Sequence, residues 1–157
     1  MEVSLNAYQE LIQIQWESRN IENDPKLNSH QWNTQISAKM GEIATIINDN
    51  SPDQTLLNNI IIVADLLRSW YWTSLKDDFN EAVKKERKIQ DELWGEQEHS
   101  RRKWFMIAAE EAGEIAQAIT ETETKEPHRK ITQEIIQLYA VLQAWVTSHD
   151  WFQEKQG

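Results

Sequence analysis

One helical segment of this chain is written twice. Trp32, Gly41, Glu42, Ile43, Ala44 and Ile47 recur in the same order as Trp104, Gly113, Glu114, Ile115, Ala116 and Ile119. Farther on, Ile60, Ile61, Leu67 and Trp70 return as Ile135, Ile136, Leu142 and Trp145, and Gln15-Trp16 resembles Leu93-Trp94. Each half then reads as three helices, with the halves at 1–76 and 77–157. A repeat that cannot bury its apolar face alone packs on its neighbour. The expected architecture is an all-α antiparallel bundle of about six helices, built from two fused three-helix repeats sharing one core.

Local signals agree. Four glycines and three prolines in 157 residues suit long helices better than a turn-rich sheet. The helices are expected at Leu5 to Arg19, Ser29 to Asn48, Pro52 to Leu75, Asp77 to Trp94, Ser100 to Thr120 and Pro127 to Ser148. Ser51-Pro52-Asp53-Gln54 reads as a start, with Ser at the cap and Pro at the first helical position. Ser100 is placed to cap the fifth helix. Trp32, Trp70, Trp104 and Trp145 fall on apolar seams and are assigned to the core.

Two seams carry charge where hydrocarbon belongs. Trp104, Ile107, Glu111, Glu114 and Ala118 step three and four residues alternately, as do Ile131, Glu134, Leu138, Val141 and Trp145. An unpaired buried carboxylate is costly, and normally it neutralises or binds a cation. Glu111-x-x-Glu114 and Glu134-x-x-Gln137 each lie on one helix face, and the short connection between the helices makes them antiparallel neighbours. Their oxygens can converge. That set suits Mg2+, with Mn2+ as a substitute, because hard cations take carboxylate oxygens and keep waters for exchange with phosphates. No cysteine and no His-x-x-x-His pair is present for zinc. The competing reading is an ordinary solvated acidic face, and for Glu110 taken alone it is preferred.

Charge excludes other classes. The formal net charge of −10 disfavours nucleic acid and anionic membranes as partners. Asp65 and Arg68 interrupt the apolar run at Ile60 far short of a membrane span. The start Met1-Glu-Val-Ser-Leu5 has neither a basic stretch nor a long apolar run, so a soluble cytoplasmic protein is expected.

The run Glu110 to Ile119 followed by Glu134-Ile-Ile-Gln137 resembles the MazG-like, all-α nucleotide pyrophosphohydrolases, whose motif is Glu-x-x-Glu, a spacer, then Glu-x-x-Asp. Leu93 to His99 also looks like the segment preceding that motif in one branch of the family. The resemblance covers Glu86 to Val146, and reaches the first half only through the repeat. It implies hydrolysis of a nucleoside triphosphate to monophosphate and pyrophosphate, with Mg2+ held by Glu111, Glu114, Glu134 and Gln137. The fourth position departs from the family: Gln137 offers a neutral carbonyl oxygen in place of a carboxylate, so weaker metal affinity is expected.

Phosphoryl transfer needs charge neutralisation and an aligned water more than covalent chemistry. Glu110 is a candidate to orient or deprotonate that water, beside Glu111. Arg101, Arg102 and Lys103 are candidate phosphate contacts, and basic residues in a helix's first turn oppose its dipole. The alternative is a solvated basic turn. Trp94 is a candidate base-stacking surface or a buried hinge; His99 is a candidate phosphate contact or helix cap.

In the first half, Lys39, Glu42, Asn59 and Ile62 stand at the repeat-equivalent positions, with Asp65 one turn beyond. A lysine there repels a cation, so one metal site per chain is expected. The leading reading is thus a Mg2+-dependent nucleoside triphosphate pyrophosphohydrolase, and a homodimer is allowed. The alternatives are a catalytically impaired nucleotide-binding protein, which the Gln at the fourth position favours, and a plain helical scaffold.

Overall fold

The computed structural model describes residues 3–18, 27–74, 78–95, 98–121, 128–148 and 151. Among these it contains six α-helices and no strand: α1 (Leu5–Ser18), α2 (Ser29–Asn48), α3 (Asp53–Ser74), α4 (Phe79–Trp94), α5 (Arg101–Glu121) and α6 (His128–Ser148). The expected boundaries at Arg19, Leu75, Asp77 and Pro127 lie outside the described residues.

The helix starts show why the chain breaks where it does. Asn28 closes a capping box on α2, accepting from the Gln31 amide at 2.9 Å while the Gln31 side chain accepts from the Asn28 amide. Ser100 caps α5 through its hydroxyl oxygen, which accepts from the Lys103 amide at 3.3 Å. At α3 the expected start shifts by one residue. Asn50 turns the chain with φ 52°, and the Pro52 carbonyl accepts the first helical amides, from Thr55 and Leu56. Pro52 thus precedes the helix and Asp53 begins it. α4 ends at Gly95, whose φ of 66° only glycine adopts without strain.

α3 and α6 form the axis of the bundle. α6 packs against α1, α3, α4 and α5; α3 packs against α1, α2, α4 and α6. Residues Leu138 through Val146 are all buried, as expected for a helix surrounded by others. The pairing of helices has a regularity. α1–α3, α2–α3 and α1–α6 have the counterparts α4–α6, α5–α6 and α3–α4, while α2 packs on α5.

The four seam tryptophans are all in the core, each at most 4% exposed. Trp32 and Trp70 stack nearly parallel, with centroids 6.4 Å apart and planes 7° from parallel. Truncating an aromatic in such a site costs about 3–5 kcal/mol. Trp151 is also fully buried, its Nε1 donating to the Val146 carbonyl at 2.8 Å. No described helix is long and apolar enough to cross a membrane.

Candidate functional site

α5 and α6 bring Glu111, Glu114 and Glu134 together. One carboxylate oxygen from each lies within 4.8 Å of the others. The spacing on α5 puts Glu111 and Glu114 one turn apart on the same face. Near the α5–α6 connection, Lys130 pairs with Glu121 at 2.8 Å and ties the two helices together. The buried stripe of α5 is Trp104, Ala108, Ile115, Ala118 and Ile119. It is rotated slightly from the expected seam, so Ile107, Glu111 and Glu114 border a cleft instead of entering the core.

The cluster is electrostatically frustrated. Burial, followed by the charges of Glu114 and Glu134, pushes the Glu111 carboxyl up to about 8. Burial and the adjacent Glu114 push Glu134 up to about 7, with Lys130 opposing and Glu86 reinforcing the rise. One oxygen of Glu111 and one of Glu134, both Oε2, are shielded from solvent and accept no hydrogen bond. Buried acceptors normally have donors. Shielded carboxylate oxygens aimed at one another and lacking donors suit a hard divalent cation, and these three residues could hold one.

The cleft beside the cluster has a volume of about 1090 Å3. Trp94, His99, Lys103, Glu110, Glu111 and Glu114 line it, so α4, the α4–α5 connection and α5 all contribute. Trp94 is 57% exposed and is therefore no buried hinge. The His99 ring stands edge-on to Trp104, centroids 4.9 Å apart. Burial and Lys103 lower its basicity. Ser100, and not His99, supplies the cap.

The basic run divides three ways. Lys103 lines the cleft. Arg101 is paired with Asp53 and donates to the Ser51 carbonyl at 2.9 Å, so it joins α5 to the start of α3. Arg102 borders a separate groove with Ala44, Thr45, Phe105 and Met106. Gln137 is half-buried one turn beyond Glu134, and its backbone carbonyl accepts from Gln90 Nε2 at 3.5 Å.

The sequence reading overlooked α4. Arg87, Gln90 and Asp91 line the cleft, as do Thr147 and Ser148 at the end of α6. A signal was present. Phe79, Val83, Glu86 and Gln90 step four, three and four residues, and Phe79, Val83 and Gln90 are buried. Polar groups interrupt an apolar stripe there, as they do on α5.

The first half is arranged differently. Lys39 pairs with Glu42 at 3.0 Å. Asn59 turns back to donate to the Thr55 carbonyl at 2.8 Å. Asp65 is fully buried, and the Ser69 hydroxyl donates to it at 3.5 Å. Glu111, Glu114 and Glu134 are the one group of three potential ligands among the described residues. No known protein family, curated protein or solved structure matches the chain.

Proposed function

We propose that this protein is a Mg2+-dependent nucleotide pyrophosphohydrolase of MazG-like type, a tandem pseudo-dimer whose second half carries the active site. The observation that carries this reading is the convergence of three oxygen-only ligands, two with shielded and unsatisfied atoms, on the border of a cleft lined by Trp94, His99 and Lys103. The correspondence between helix pairs across the two halves supports the pseudo-dimer.

Glu111, Glu114 and Glu134 would hold the cation, with Gln137 as the neutral fourth position. Bound there, Mg2+ supplies neutralisation of phosphate charge and acidification of water. The chain's own groups complete the chemistry. Lys103 offers a point charge for a phosphate oxygen. Trp94 presents an exposed face for a base. Glu110, exposed on the cleft wall, is free of the three-carboxylate group and serves to orient an attacking water or accept its proton. Cleavage of the phosphoanhydride yields a monophosphate and pyrophosphate.

A panel of ribo- and deoxynucleoside triphosphates, assayed for pyrophosphate with Mg2+ and Mn2+, tests this. Release from at least one nucleotide, abolished by Glu111→Gln, is expected. Nucleotide binding without turnover would instead establish the impaired binding protein, for which the Lys39–Glu42 pair and Gln137 are the supporting observations.

A further inference from the structure

The three carboxylates come from two helices, yet a third helix also faces them. α4 packs along α6, and the contact includes a polar bridge. Gln90 is 6% exposed, and its Nε2 donates both to Glu86 Oε1 at 3.3 Å and to the Gln137 carbonyl at 3.5 Å. A buried amide with two acceptors from different helices holds its partners in place. Glu86 is half-buried and close enough to Glu134 to act on its carboxyl. Its charge therefore belongs to the same electrostatic unit as the cluster.

This placement has no folding advantage. It adds a carboxylate beside three others at a helix interface, and like charges there repel. A divalent cation reverses the sign of that interaction. With Gln137 neutral, the cluster itself offers three negative charges from Glu111, Glu114 and Glu134.

We propose that Glu86 is the fourth carboxylate of the cation site, a positioning residue on α4, oriented by Gln90, that supplies the negative charge absent at Gln137. It lies outside the three-residue ligand group, so its role is to accept hydrogen bonds from the waters that Mg2+ retains and to raise the site's affinity. This inference rests on the cluster holding a cation, and not on the identity of the reaction.

The test is calorimetric titration of the full chain with Mn2+ and with Mg2+, without nucleotide. Glu86→Gln keeps the size and hydrogen-bonding capacity of the side chain and is expected to weaken affinity about tenfold. Gln137→Asp in the same protein is expected to restore most of the loss, because it returns the charge to α6. Glu86→Asp, which keeps the charge, is expected to lose less than Glu86→Gln. Unchanged affinity in Glu86→Gln overturns the proposal. So does a loss that Gln137→Asp fails to repair, which would make Glu86 a packing residue of α4. Thermal unfolding of each variant identifies one that fails to fold, in which case Glu86→Asp against wild type carries the comparison. Cation binding with these responses, but no turnover of any nucleotide, would sink the hydrolase reading and leave Glu86 in its role. A wild-type chain that binds neither cation overturns both.

Discussion

The Arg101 guanidinium at the start of α5 is paired with the Asp53 carboxylate at the start of α3, and the pair is mostly shielded, at 23% and 16% exposure. Asp53 sits in the first turn of its helix, where a negative charge is favoured by the dipole. Arg101 occupies the opposite situation, a positive charge in a first turn, and Asp53 together with the Ser51 carbonyl offsets it. The contact fastens the metal-bearing half to the α2–α3 turn of the other.

Arg101→Ala should therefore lower stability by about 1–2 kcal/mol, since charge-assisted hydrogen bonds contribute more than exposed ion pairs. Urea denaturation checks this, with a lower midpoint at an unchanged slope. Asp53→Ala should cost no more in the Arg101→Ala background than it does as a single substitution, and a double-mutant cycle reads the coupling. Cation affinity should stay as in wild type.

Lys103→Ala should show the reverse pattern. Lys103 is exposed on the cleft wall, so its removal should change stability by less than about 0.5 kcal/mol. Nucleotide binding should weaken several-fold, and the effect should fade as salt is raised, because an exposed charge is screened. Fluorescence of Trp94, exposed in the same cleft, offers a readout of nucleotide binding.

The tryptophans give a contrast between core and cleft. Trp145 is fully buried, and Trp145→Ala should destabilise by about 3–5 kcal/mol. Trp94→Ala should leave thermal stability nearly unchanged while raising KM for nucleotide. If both variants lost stability equally, Trp94 would belong to the core.

How far the sequence reveals these roles depends on the range of the interaction. Helix extents follow from local caps and apolar period, which is why Ser29 and Asn48 bound α2 as expected. The start of α3 moved because the left-handed turn at Asn50 hands the capping role to the Pro52 carbonyl, a detail of backbone geometry. Glu111, Glu114 and Glu134 were legible because charges interrupt an apolar repeat. Glu86 and Gln90 interrupt one too, but their meaning depends on α4 lying beside α6, which no local spacing encodes. The Arg101–Asp53 pair likewise joins distant segments. It was invisible in a run of three basic residues that differ only in where α5 turns them.

The final prediction concerns pH, where the cluster's frustration becomes measurable. Glu111 is raised to about 8 and Glu134 to about 7, against an ordinary value of 4.5 that the unfolded chain retains. The folded, metal-free protein thus binds more protons than the unfolded chain between about 4.5 and 8. Stability falls with rising pH wherever the native state holds the extra protons. These groups' contribution is fully present below about 4.5 and is lost as pH climbs through 7 and 8. Glu121, held below its ordinary value by Lys130, acts in the opposite sense and only at more acid pH. With chelator present, the thermal midpoint should decline from pH 5 to pH 8. Saturating Mg2+ should reverse the decline, stabilising by about 2.7 kcal/mol at a hundredfold excess over Kd, with protons released on binding near neutral pH. Glu111→Gln should flatten the chelated profile and raise stability above wild type at pH 8, while removing the response to Mg2+. A metal-free midpoint that does not fall between pH 5 and 8 would mean that the three carboxylates are solvated and do not form a site.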